Sequence, residues 1–314
     1  MDFLDVLTRE EAAAFKLRKL YFESGYSQYK MSKFEEYELY VRNKDFLVSD
    51  NVITFTDTDG RLLALKPDVT LSIIKNNRDA GDGVKKLYYN ENVYRVSRGT
   101  HSFREIMQVG LECIGNIGMS EIKEVLGLAV KSLRALSEDY VLEISHLDIV
   151  GALLEYFAFS DSAKREFYAL LGQKNENGIA ALVKRQGAPL LAEELLCGLA
   201  GLYGRPGSVT QGLEKYRVCP EAIRAIDELL EITTALTEDI PNADIFVDFS
   251  VVSDVKYYNG IAIKGFIDGV PTSVLSGGQY DSLMKRMKRD ARAIGFAVYL
   301  DELDRLPFCE VSEK

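Results

Sequence analysis

The strongest chemical signal in this 314-residue chain lies in the segment FREIMQVGLECI, residues 103–114, where apolar and polar residues alternate. Side chains of a pleated strand point to opposite faces in turn. Phe103, Met107, Val109, Leu111 and Cys113 then share one face, and Arg104, Ile106, Gln108, Gly110 and Glu112 the other. The first face suits a core. The second sets an amide, a guanidinium and a carboxylate around a glycine, the composition of a binding-cleft floor. The same alternation fits a solvated antiparallel face, and alternation alone leans that way. Other chemistries find less support. Cys113, Cys197, Cys219 and Cys309 are scattered without a close pair, and His101 and His146 stand apart from them. That distribution supports neither a disulfide framework nor a zinc site. Neither histidine has a nucleophile near it in sequence, so a nucleophile–base pair would need a proximity that only folding creates.

Periodicity outlines the elements that would position such a strand. Ala12, Phe15, Leu17, Leu20 and Phe22 fall at helical spacing over residues 8–23, with Gly25 where the helix would stop. Residues 52–56 and 62–66 flank an Asp-Gly turn at 57–60 and predict a hairpin ended by Pro67. A further strand is expected over 86–96 and an amphipathic helix over 121–136. From 148 to 238 helical patterns dominate, at 148–157, 162–173, 190–202 and 220–237. Strand-like sequence returns at 244–252, 260–269 and 272–275, while 293–306 carries a helical apolar pattern before Pro307. The expected organisation is an α+β core of residues 1–150 and 236–308, a helical insertion at 151–235 and a tail at 309–314. The sheet begun before the insertion would be completed after it.

Composition narrows the function classes. With 47% hydrophobic residues the chain can bury a large core. Its 38 Lys and Arg against 48 Asp and Glu leave a net charge of −10, which argues against a broad phosphate-tracking surface. The N-terminal MDFLDVLTREEAAAF has acids where a signal peptide begins with bases, and no apolar run reaches the roughly 18 residues needed to span a bilayer. A cytoplasmic location is expected.

Several separated segments resemble the class II aminoacyl-tRNA synthetases and, within them, the histidyl-tRNA synthetases. LALKPDVT (63–70) is similar to that family's LRPEGT turn, and NVYRVSRGTHSFREIMQVGLECIG (92–115) to its second class-defining motif. VVSDVKYYNG (251–260) resembles the histidine-specific RGLDYYN segment. SGGQYDSL (276–283) and IGFAVYLDEL (294–303) resemble GGRYDGL and the third class-defining motif. Their shared order and spacing around a helical insertion imply a class II synthetase-like antiparallel sheet flanked by helices.

The resemblance implies a pocket for free histidine built from Asp68, Thr70, Gln108, Glu112, Tyr257, Tyr258 and Tyr280. Asp68 would pair with the ammonium group and Gln108 with the backbone end of the amino acid. Glu112 and the tyrosine hydroxyls would meet the imidazole, and Gly277 and Gly278 would let the backbone come close to the ligand. Gln108 and Glu112 are also the polar residues of the alternating strand, so two lines of reasoning meet there. The half of the site that would handle ATP is eroded. Arg95 matches the second-motif arginine, a phosphate contact left as a relic, but the glutamate expected two residues later is Ser97 and the adenine-stacking aromatic is Ile106. The two further arginines expected near the α-phosphate are Ser253 and Glu302. A carboxylate there repels ATP. The chain also stops where a histidyl-tRNA synthetase continues into an anticodon-binding domain.

This combination resembles the synthetase-like regulatory subunits of short-form ATP phosphoribosyltransferase. It implies a non-catalytic chain without cofactor or metal, a homodimer within a larger hetero-oligomer that includes a separate short catalytic chain, free histidine as ligand, and neither tRNA nor membrane as partner. Two alternatives stand beside it: a minimal synthetase paralogue forming histidyl-adenylate or transferring an aminoacyl group, and an assembly scaffold with a relic pocket.

Overall fold

The computed structural model describes residues 6–43, 47, 52–76, 83–96, 102–252 and 257–305, apart from the side chain of Asp304. The chain begins with α1 (Arg9–Glu23), β1 (Ser27–Gln28), β2 (Phe34–Glu36), α2 (Tyr37–Arg42), β3 (Thr54–Thr56), β4 (Leu62–Leu65) and α3 (Thr70–Asn76). The long strands β5 (Val84–Val96) and β6 (Phe103–Gly115) follow, then α4 (Met119–Leu136), β7 (Tyr140–His146) and α5 (Leu147–Tyr156). A helical stretch holds α6 (Asp161–Gly172), α7 (Glu176–Arg185), α8 (Leu190–Gly201), the short β8 (Tyr203–Gly204), α9 (Pro206–Leu213) and α10 (Pro220–Asp239). The chain then returns through β9 (Ile245–Asp248), β10 (Asn259–Ile267), β11 (Leu275–Gln279), α11 (Asp281–Arg286) and β12 (Arg292–Tyr299).

Local chemistry explains the first elements. Thr8 Oγ1 accepts from the Glu11 backbone N–H and the Glu11 carboxylate accepts from the Thr8 N–H, a reciprocal cap on α1. Beyond α1, Gly25 takes the left-handed conformation at φ 85° that its lack of a Cβ permits. The Asp57 carboxylate accepts from the Asp59 and Arg61 N–H groups and closes the β3–β4 hairpin.

Nine strands form one sheet in the order β1-β5-β6-β12-β11-β10-β7-β9-β8, and β2-β4-β3 form a separate antiparallel sheet. Only the β1–β5 and β7–β9 pairings of the large sheet are parallel. One core lies between this sheet and α1, α4, α5 and α10. It includes Leu17, Val109, Leu111, Cys113, Leu126, Leu133, Ile144, Ile226 and Phe296. A second core, with Leu71, Ile73, Tyr89, Val93, Ile114, Tyr257, Tyr280 and Leu283, covers part of the opposite face. That face of β6 is therefore roofed rather than solvated: Gln108 and Glu112 are 3% and 2% exposed.

Several elements of the large sheet differ from the sequence expectation. Residues 292–299, expected as part of a helical pattern, form the interior strand β12, followed by a 3₁₀ helix over Leu300–Arg305. A strand buried on both faces reads as a continuous apolar run, and periodicity cannot separate that from a buried helix. Strand β11 occupies Leu275–Gln279 rather than 272–275. Its two glycines depress strand propensity, yet a Cβ at Gly277 would collide with the Gly295 carbonyl and the Phe296 side chain. Strand β7, unmarked in the sequence reading, pairs with β10 along its whole length.

Candidate functional site

A row of cross-strand neighbours runs over the sheet from Leu87 through Glu112, Gly295, Gly278 and Ala262 to Ser145. Gly295 is the reason a glutamate fits in the middle of it, since a Cβ there would occupy the position of the Glu112 carboxyl. Thr70 Oγ1, at the start of α3, donates to Glu112 Oε1 at 2.6 Å, and the Tyr280 hydroxyl donates to Oε2 at 2.6 Å. Tyr280 is set by its own N–H, which bonds the Ala293 carbonyl as β11 ends. The Tyr257 ring packs at 5.9 Å from Tyr280 and edge-on at 4.9 Å from Tyr258. Both tyrosines precede β10, whose start is pinned by Gly260 N–H on Asp148 and Ile261 N–H on Gln279 Oε1.

Asp68 and Thr70, Glu112, Tyr257 and Tyr280 thus come from four chain segments into one buried cluster, with Tyr258 against it. Gln108 lies four residues from Glu112 on the same face of β6, with Gly110 between them. Tyr89 was not singled out from the sequence: its hydroxyl fills the space over Gly110, where a Cβ would collide with it. The available signal was register, because Tyr89 pairs with Gly110 across β5 and β6. Asp68 has a structural duty besides any ligand: its Oδ1 accepts from the Leu71 N–H at 2.8 Å and caps α3. Arg95 donates through Nε to the Pro67 carbonyl at 3.1 Å, beside Asp68. Gly277 and Gly278 are occupied by the protein itself; the side of Gly278 faces the Tyr258 ring and the Ile261 carbonyl. Their missing Cβ atoms make room for the neighbouring strands.

Burial pushes the Glu112 carboxyl up to about 8, and the neighbouring Asp68 pushes the same way, against the downward pull of the Thr70 and Tyr280 hydroxyls. The hydroxyls of Tyr89, Tyr257 and Tyr280 are raised by burial and by Glu112 or Asp68, so they remain hydrogen-bond donors. Burial thus holds Glu112 toward its neutral form among hydroxyl donors, with Asp68 as the second carboxyl beside it.

The positions expected to have handled ATP look different. Glu302 accepts from Thr272 Oγ1 at 2.7 Å and pairs with Arg305 at 3.0 Å. Ile106 is half-buried against the second core. Ser97, Ser253, His101 and Cys309 lie outside the described residues. His146 is buried on the helix-covered face of the sheet, 3.8 Å from Glu228 of α10 and away from the cluster. Among the described residues no group of His, Cys, Asp and Glu could hold a metal ion, and no helix is long and apolar enough to cross a membrane.

A mostly antiparallel sheet carrying the β5–β6 pair, a carboxyl–tyrosine cluster on its face and helices behind it defines a class II aminoacyl-tRNA synthetase-like core. The family model for histidyl-tRNA synthetase matches residues 5–303, and the chain belongs to that family. It is 25% identical over 291 residues to an ATP phosphoribosyltransferase regulatory subunit from Oceanobacillus iheyensis, covering 92% of this chain and 71% of that one. Its fold matches a solved structure described as an ATP phosphoribosyltransferase regulatory subunit/histidyl-tRNA synthetase from Bacillus halodurans, with TM-score 0.83 at 23% identity over 96% of this chain and 79% of the other. It also matches a chain of the ATP phosphoribosyl transferase (HisG:HisZ) complex from Thermotoga maritima, with TM-score 0.72 at 19% identity over 95% and 98% of the two chains.

Proposed function

We propose that this chain is the non-catalytic regulatory subunit of an ATP phosphoribosyltransferase, needed by a short catalytic chain for activity and for feedback by histidine. The observation that carries the reading is Glu302. Where a synthetase resemblance calls for an ATP-binding arginine, a carboxylate stands fixed by Thr272 and Arg305. Adenylate formation needs positive charge near the α-phosphate, and this residue supplies the opposite. The amino-acid side is retained: Thr70, Glu112 and Tyr280 form a connected network with Asp68, Tyr257 and Tyr258 close by. The regulatory names of its relatives support the same assignment.

In this reading free histidine is the ligand of the cluster, and its binding reaches the catalytic chain as a coupling free energy between sites. The chain works as a homodimer within a larger hetero-oligomer and does not bind tRNA. Residues 151–235 form a helical unit inserted into the core. Mixing the protein with a short phosphoribosyltransferase chain tests the assignment. Co-elution in size-exclusion chromatography at micromolar concentration and a gain in transferase activity are expected; separate elution with unchanged activity overturns it.

A further inference from the structure

Against a net charge of −10, one stretch of the surface is strongly positive. It forms where α11 ends, from Lys285, Arg286, Lys288 and Arg289, together with Arg42 at the end of α2. Arg286 Nη2 donates to the Arg42 carbonyl at 3.3 Å and Arg289 Nη2 to the Ile74 carbonyl at 3.3 Å, which joins α11, α2 and α3 into one surface. Arg42, Lys285, Arg286 and Lys288 are exposed. Val41, 51% exposed beside Arg42, adds an apolar point.

A cation at a helix C-terminus complements the helix dipole and needs no partner. Lys288 exceeds that requirement. It takes the left-handed conformation, φ 57°, at the position after α11 where glycine is normally found. Its N–H and that of Arg289 return to the Lys285 and Met284 carbonyls and close the helix. Lys174, also left-handed at φ 51° after α6, offsets its strain through an ion pair with Asp248 at 2.6 Å. Lys285 and Lys288 make no ion pair with any described residue. Strain held at a residue with no internal partner points outward, to what that residue meets on another molecule.

The surface also stands at the far ends of the two helices that start at Glu112. Thr70, the first residue of α3, donates to one Glu112 oxygen, and Tyr280, the N-cap of α11, donates to the other. With 7 and 6 residues and a rise of about 1.5 Å per residue, both helices end about 10 Å from the cluster. A partner seated there touches the ends of the two helices that hold Glu112, where a coupling between sites can be read.

We propose that this basic surface docks an acidic, partly apolar face of the catalytic phosphoribosyltransferase chain, with Lys285 and Lys288 as charged contacts. The choice of partner rests on the regulatory reading above. Nucleic acid is the other polyanion a basic run can meet, but a chain of net charge −10 repels a long phosphate backbone, while the exposed Val41 suits the apolar part of a protein interface.

Calorimetric titration of the full chain with the short catalytic chain, at low and at physiological salt, tests it. Lys285→Glu/Lys288→Glu should weaken association about tenfold or more and reduce its salt dependence. Lys131→Glu/Arg165→Glu, an equal change of charge at exposed positions on α4 and α6, should stay within about threefold of the parent. Lys288→Gly removes the charge and relieves the positive φ, so it should weaken association several-fold while its melting temperature equals or exceeds that of the parent. A purely structural role would not produce that combination. Absence of association by the parent overturns the regulatory reading itself. Association by the parent that is not weakened in Lys285→Glu/Lys288→Glu or in Lys288→Gly, equal weakening in Lys131→Glu/Arg165→Glu, or micromolar binding of a short single-stranded RNA that Lys285→Glu/Lys288→Glu loses overturns the docking surface.

Discussion

Glu112 owes its charge state to its place. Folded, it holds a proton up to about pH 8; unfolded, it would release it near the ordinary value of 4.5. Between these values the folded chain binds more protons than the unfolded one, so this residue makes stability fall as pH rises. The slope is at most about 1.4 kcal/mol per pH unit, is absent below the lower value and ends above the upper one. Glu112→Gln, which keeps the shape and titrates nowhere in this range, should flatten that decline; denaturant melts at several pH values between 5 and 8 measure it, and an unchanged slope places the proton elsewhere. In the proposed function, histidine recognition rests on the same residue. Glu112→Ala leaves an imidazole N–H unpaired, which costs about 1–3 kcal/mol, a roughly ten- to hundredfold weaker histidine response of the assembled enzyme. A parent-like response in a normally assembled complex would make the cluster a relic. Asp68→Ala is the less clean variant, because it also removes the cap of α3.

At the scale of elements, α3 has 7 residues, too short for a helix to persist alone in water. It is held from outside. Asp68 caps it, Thr70 ties it to Glu112, and Ser72, Lys75 and Asn76 all donate to Glu35 on β2. The helix therefore joins the ligand cluster to the small sheet. Burial of Glu35 opposes its charge, but the hydrogen bonds from Ser72 and Lys75, the Lys75 charge and Asn76 prevail and hold the carboxyl below its ordinary value. Its contribution is present above pH 4.5 and disappears as pH falls through the lowered value. Glu35→Ala should destabilise the fold by about 1–3 kcal/mol, through three donors left without their acceptor. Hydrogen exchange should quicken over residues 70–76 while α4, on the far side of the sheet, stays protected. Equal loosening of both helices would mean that Glu35 supports the fold in general rather than α3.

For the whole molecule, the proposed function separates binding of an amino acid from its activation. A net charge of −10 and, where an ATP-binding arginine is expected, a carboxylate paired with Arg305 take away one source of positive charge for ATP. Loss of even one group that stabilises charge at the reacting phosphorus costs roughly 3 kcal/mol. Histidine-dependent ATP–pyrophosphate exchange by the chain alone should stay at the level of a control without protein. Exchange clearly above that level would favour an adenylate-forming enzyme over a regulatory subunit.

The alternation of residues 103–114 marked the long strand and divided its apolar from its polar residues, and the helical spacing of residues 8–23 with Gly25 marked α1, because these depend on contacts a few residues apart; Phe103, expected on the core face, is exposed. The order and spacing of the synthetase-like segments likewise pointed to the fold and to the cluster residues. Strand β12 was out of reach, since a strand buried on both sides carries no alternation, and β11 was misplaced because its glycines are explained only by the neighbours that press on them. That the polar face of β6 is roofed, that Asp68 caps a helix, and that Tyr89 sits over Gly110 depend on segments tens of residues apart. The chemistry of Glu112 follows the same division: its residue type is in the sequence, but its retained proton comes from the burial, the glycine beneath it and the two hydroxyls that only the tertiary structure brings together.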